Sequence, residues 1–157
     1  MIFMFSQKGQ YFAPYRLVLG AAIGSMILLI ILGVVSYFES LKETLAYETI
    51  VSGIKSAVAS PNGMVVKKPN VFIKSSTFSK RFFAEVAGVE EECIILQAPD
   101  SGVVHLIENA IQAIVVEKGV AINLYFKCCM QKKTNGEDCE MKCWISFAEK
   151  LESGCQS

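Results

Sequence analysis

Most of the chemistry available to this sequence resides in six cysteines: Cys93, Cys128, Cys129, Cys139, Cys143 and Cys155. All lie in the second half of the chain. Four are gathered in the stretch KCCMQKKTNGEDCEMKCW, with Cys128 and Cys129 near one end and Cys139 and Cys143 toward the other. Three chemistries compete for thiols at this spacing. Disulfides would staple a hairpin around the polar loop that contains Asn135-Gly136, and closing a loop of ~15 residues contributes about 3 kcal/mol in the chain-entropy model. Four thiolates could instead hold zinc, but such sites usually present two C-x2-4-C pairs. Cys139 and Cys143 approach one pair, whereas the adjacent Cys128 and Cys129 chelate a single metal poorly. A thioredoxin-like redox site needs a C-x-x-C, which the sequence lacks. The disulfide reading is favoured. The four clustered cysteines are expected to pair among themselves, with Cys93 and Cys155 left to pair or stay free. No metal and no cofactor is expected.

The remaining candidates for chemistry are sparse. His105 is the single imidazole and sits in the strand-like VVHLI, where a half-buried structural role suits it better than that of a base, which needs partners. Glu90-Glu91-Glu92 is an acidic run without the ligand spacing of a calcium loop. Lys67-Lys68, Lys80-Arg81 and Lys132-Lys133 are scattered basic pairs that read as solvated. With 15 basic and 15 acidic side chains interspersed, the chain lacks the clustered basic face that nucleic acid requires. It carries no phosphate loop, dinucleotide fingerprint or nucleophile elbow. No enzymatic activity is expected.

The elements that would position these residues begin with a membrane-length segment. Hydrophobic residues make up 52% of the chain, high for a soluble domain of this size. Between Arg16 and Glu39 no charge interrupts LVLGAAIGSMILLIILGVVSYF. As a helix, Leu17–Phe38 would span about 33 Å, enough for a hydrocarbon core of ~30 Å. A secretory signal would have a shorter apolar core, roughly 7–15 residues, followed closely by a small-residue cleavage site. Tyr15 would sit at one interface and Tyr37 and Phe38 at the other. Lys8 and Arg16 precede the span, and Glu39 and Glu43 follow it. Positive charge therefore places the N-terminus in the cytoplasm and the bulk of the chain outside, where cysteines can pair. Gly20 and Gly24 form a GxxxG, a spacing that lets helix backbones approach closely. The partners implied are the lipid bilayer and, through that face, copies of itself or other membrane helices.

The helical pattern does not stop at the bilayer. Leu41, Leu45, Val51, Ile54, Ala57 and Val58 recur at helical spacing, and no proline intervenes between Tyr15 and Ser60. Pro14 suits a first turn, and Ser60-Pro61-Asn62-Gly63 is a stop. Beyond it, short β-like runs are expected at Met64–Val66 and Val71–Ile73. A short helix follows, capped by Ser76 or Thr77 and ended by Gly88. Strands are expected at Cys93–Gln97, Val103–Ile107, Ile111–Val116, Val120–Lys127 and Cys143–Phe147. The expected fold class is α+β: a long N-terminal helix, half transmembrane and half amphipathic, packed on a small antiparallel β-sheet. The organisation is a leader at 1–13, a transmembrane helix at 14–38, its amphipathic continuation at 39–60 and a β-rich, disulfide-stapled domain at 61–157.

A short basic leader ending Lys8-Gly9, then Gln10, then an apolar helix running into an amphipathic one, then a small sheet domain: this order resembles the archaeal type IV pilin-like proteins with class III signal peptides. The later CWISFAEK also resembles extracytoplasmic domains that follow such leaders. The resemblance implies a prepilin-type signal peptidase that recognises Lys8 and Gly9 and cuts after Gly9, leaving Gln10 as the mature N-terminus. It further implies a structural or assembly subunit whose helix Leu17–Phe38 packs into a filament or stays as an anchor. A non-filamentous anchored binding module, or an accessory subunit of a membrane complex, is the alternative.

Overall fold

The computed structural model describes residues 12–99, 101–108, 112–131 and 139–155. It is an α+β protein with a long N-terminal helix packed on a small sheet assembly. Helix α1 runs over Phe12–Ala59, 48 residues. The chain divides into two units within this helix, Met1–Leu41 and Lys42–Ser157. In the first unit every residue from Pro14 to Ser40 is exposed.

The second unit, the head, holds the rest of α1 and two sheets. Strands β1 (Val66–Ile73), β6 (Val120–Met130), β7 (Met141–Phe147) and β3 (Ile94–Gln97) form one sheet in the order β1-β6-β7-β3. Strands β2 (Ser76–Ser79), β5 (Gln112–Val116) and β4 (Val104–Glu108) form the other, in the order β2-β5-β4. Pairing is antiparallel except between β3 and β7, which run parallel. The single antiparallel sheet expected from the sequence is therefore two sheets, one of them mixed. A parallel neighbour needs a long crossover, and the segment from β3 to β7, which includes β4, β5 and β6, supplies it.

Local sequence explains most element ends. At the close of α1 the Asn62 side chain accepts from the Met64 N–H at 3.1 Å, and Gly63 takes φ +78°, a left-handed value that disfavours a β-carbon. Of the run expected at Met64–Val66 only Val66 is in a strand, and it is joined through Lys67-Lys68-Pro69-Asn70 to the run expected at Val71–Ile73 as β1. Its register shifts between Lys68 and Val71, and Asn70, at φ 55°, donates its N–H to the Asn123 side chain at 3.1 Å. This is a bulge, which holds proline and a left-handed residue within a ladder. Helix α2 (Lys80–Ala87) starts later than expected, because Ser76 and Thr77 pair with Val116 and Val115 as part of β2. Ser79 is the cap, accepting from the Phe82 N–H at 3.3 Å, and Gly88 ends the helix in the left-handed region.

The core joins all these elements. Ala46, Ile50, Gly53, Ile54 and Ala57 form the buried stripe of α1, whereas Leu45 and Tyr47 remain more than half exposed. Of the residues expected on the packed face, Ile54 and Ala57 are buried and Leu41, Val51 and Val58 half-buried, while Leu45 is not covered; the stripe is completed by Ala46, Ile50 and Gly53 and is built largely of small residues. Close approach to the sheet selects them: a β-carbon on Gly53 would overlap the ring of Phe126. Phe78, Phe83 and Phe147 then cluster, edge to face between Phe83 and Phe147 and tilted at the other two ring pairs, in the same core as the fully buried Ile114 and Ile145.

Candidate functional site

The first candidate surface is the membrane-length half of α1. A window of this helix reaches a mean hydropathy of 2.7 with none of it buried, and it is the one helix among the described residues long and apolar enough to cross a membrane. A lipid-exposed helix satisfies its backbone internally, and its polar side chains must do likewise. Ser25 Oγ donates to the Ala22 carbonyl at 2.8 Å and Ser36 Oγ to the Gly33 carbonyl at 3.0 Å. Both hydroxyls are satisfied by their own helix, as serine does in an apolar setting. Gly20 and Gly24 lie one turn apart, and a β-carbon on either would meet nothing within 4 Å among the described residues. This surface is open to lipid or to another helix. Lys8, Gly9 and Gln10, the expected processing residues, lie outside the described residues, as do Asn135-Gly136 and Lys132-Lys133.

Covalent closure defines the second candidate, on the head. All six cysteines are paired: Cys93 with Cys139, Cys128 with Cys143 and Cys129 with Cys155. Only Cys128–Cys143 joins two members of the cluster. The expectation that the four clustered cysteines pair among themselves is corrected by the other two bridges. The reason is the period of a strand. Strand β6 continues past Lys127 to Met130, so Cys128 and Cys129 point to opposite faces of the sheet. Cys128 stands directly across from Cys143 of β7, with Cα atoms 4.1 Å apart, on the core side. Cys129 faces the other way and meets the C-terminal segment. Cys139 meets Cys93 at the end of the 3-10 turn Glu91–Cys93 that leads into β3. With every sulfur bonded to another, none is a thiolate ligand in this structure.

The C-terminal segment is a strap across the outer face of the larger sheet. It turns at Ala148 (φ 75°), whose N–H donates to the Asn123 carbonyl at 2.7 Å. Leu151, within it, is buried. Lys127, on β6, is also buried. Its Nζ donates to the carbonyls of Glu152 at 3.0 Å and Gly154 at 3.2 Å and lies 4.7 Å from the centre of the Trp144 ring. The Gly154 N–H donates to the Gly63 carbonyl at 2.9 Å, and Gly63 has no room for a side chain because Gly154 and Cys155 lie against it. The outer face of β6 carries Asn123, Tyr125 and Lys127. Tyr125 and Lys127 are covered, and the lone Cys155 near the chain end, with Leu151 before it, was the available signal.

Clefts flank the strap. One, of about 320 Å³, is lined by Gln97, Lys127, Trp144 and the strap residues Lys150, Leu151 and Glu152. The other, of about 730 Å³, is lined by Val65, Lys67, Tyr125 and the strap residues Lys150 to Ser153. A further depression lies between Val58, Val89, Met130 and Met141, with Glu90 and Glu140 on its rim. His105 is half-buried in β4 opposite Val115, and Glu90 to Glu92 are exposed around the 3-10 turn. Among the described residues no group of three or more His, Cys, Asp or Glu side chains is placed to hold a metal ion. The chain matches no protein-family model, and no curated protein or solved structure is detectably similar to it.

Proposed function

We propose that the protein is a single-pass membrane protein with its N-terminus in the cytoplasm and its head outside, acting as a pilin-like structural or assembly subunit processed after Gly9. The observation that carries this reading is the change of role along α1. Its first half is apolar and exposed all round, as lipid or a helix bundle requires, and its second half contributes Ile50, Ile54 and Ala57 to the core of the head. Three disulfides support an oxidising exterior for the head, and Lys8 and Arg16 before the span against Glu39 after it support the orientation. The role is structural rather than enzymatic. Mass analysis of the N-terminus of membrane-extracted protein tests the proposal. Gln10 is expected as the first residue, and a chain starting at Met1 in cells with an active prepilin peptidase would sink it.

A second reading is favoured by Arg16, which is exposed on α1 shortly after Gln10. At the edge of a bilayer a guanidinium is well placed, whereas inside a packed helix bundle it needs an acidic partner. A non-filamentous anchored module accommodates it without one. Cysteine crosslinking distinguishes the two: Gly20→Cys and Gly24→Cys should form crosslinked dimers in the subunit reading and none in the module reading.

A further inference from the structure

The three disulfides differ in access. Cys93, Cys128, Cys139 and Cys143 are buried, as is Cys129, but Cys155 is exposed. Thiol–disulfide exchange proceeds by in-line attack of a thiolate on a sulfur it can reach, so access decides which bridge exchanges first. Cys128–Cys143 and Cys93–Cys139 tie together elements of the core. Cys129–Cys155 ties only the strap to the outer face of the sheet, closing a loop across a sequence separation of 26. Its removal takes no residue out of the common core of the two sheets.

The strap also divides the space beneath it. Lys150, Leu151 and Glu152 line both the 320 Å³ cleft and the 730 Å³ cleft, one on each side. Lifting the strap joins them into one trough floored by Lys67, Tyr125, Lys127, Trp144 and Gln97. It also frees the Lys127 ammonium from the two carbonyls that now occupy it.

We propose that Cys129–Cys155 is a redox-addressable latch: a dithiol reductant opens it selectively, releasing the strap from Glu149 to Cys155 and uncovering the cation-and-aromatic floor while the head stays folded. The attacking thiolate bonds to Cys155 Sγ, and Cys129 leaves as a thiolate and takes up a proton. The second thiol of the reductant then attacks the mixed disulfide and frees Cys155. The protein gains two thiols and the reductant becomes a disulfide. The latch operates whether or not the leader is cut.

The full-length, oxidised protein in detergent micelles is the material for the test, titrated with limiting dithiothreitol and trapped with iodoacetamide. Cys129 and Cys155 should be alkylated at least ~10-fold faster than the other four cysteines. In step with that alkylation, the Gly154 amide should lose its protection from hydrogen exchange and Trp144, the single tryptophan, should shift its emission to the red, with the cooperative thermal transition of the head retained. Cys155→Ser should show the open-strap exchange and emission without any reductant, and the wild-type titration decides the matter alone if that variant does not fold. Reduction of another bridge first, or of all three together, overturns the proposal. So does selective reduction that leaves Gly154 exchange and Trp144 emission unchanged.

Discussion

Gly24 and Gly53 belong to the same helix and meet opposite surroundings. Around Gly24 a β-carbon would find open space, whereas at Gly53 it would strike the buried ring of Phe126. The contrast extends to the residues beside them. Near Gly24, Ile23, Ile27 and Leu28 are about half exposed, while Ile50 and Ile54 beside Gly53 are fully buried. Glycines on one continuous helix therefore do different work in its uncharged and its amphipathic half. In the head, burial is supplied by the protein itself, so small residues are dictated by what lies across the interface. In the membrane-length half nothing within the described residues covers the helix, so its apolar character is matched to an external solvent of lipid or to another helix.

Substitutions that act on one half and spare the other would break or sharpen this comparison. The largest effect is expected from Phe126→Ala, which removes the ring on which α1 rests. The loss should be about 3–5 kcal/mol of head stability, measured by denaturant unfolding of the full chain followed through Trp144, with membrane association unchanged. Leu28→Arg should do the reverse. An arginine at the middle of the span costs about 2.5–3.5 kcal/mol of insertion, read by membrane fractionation, while the head's unfolding midpoint stays where it was. If instead the head alone unfolds in Leu28→Arg, the two halves are not independent.

Gly53→Val comes next, at about 1–3 kcal/mol from overpacking. Gly24→Val should leave head stability unaltered, and in the subunit reading alone it should reduce crosslinking through Gly20→Cys. Equal losses from the two glycine substitutions would erase the difference between the two halves of α1. The smallest expected effect is Ser79→Ala, which deprives α2 of its cap at a cost of about 1 kcal/mol. It should lower the same unfolding midpoint modestly, and Ser79→Asp should restore it.

Much of this was legible because local signals are strong where one solvent or one turn decides. The uncharged run from Leu17 to Phe38 is long and apolar enough to cross a membrane, and Ser60-Pro61-Asn62-Gly63 follows directly on the end of α1. Gly88 ends α2 as expected, since a left-handed residue there needs no tertiary information. The candidate surfaces were less legible. Gly20 and Gly24 stand out in sequence as a GxxxG, but nothing along the chain singles out Gly53, whose reason is Phe126 across the interface. Ser79 hides as the cap because Ser76 and Thr77 look equally suitable until β2 claims them.

The sequence by itself determined an α+β chain with a membrane-length helix continuing into a packed one, and a cysteine-rich region suited to oxidation. These follow from hydropathy, periodicity and spacing, all properties of neighbours along the chain. Tertiary structure alone decided the rest: that the strands form two sheets with β3 parallel to β7, that Ala46 and Gly53 rather than Leu45 complete the buried stripe of α1, and which cysteines meet. Pairing depends on the face each side chain takes and on what is brought opposite it. Cys128 and Cys129, adjacent in sequence, are sent by the strand's alternation to opposite sides of one sheet, where one bonds to a neighbouring strand and the other to the strap.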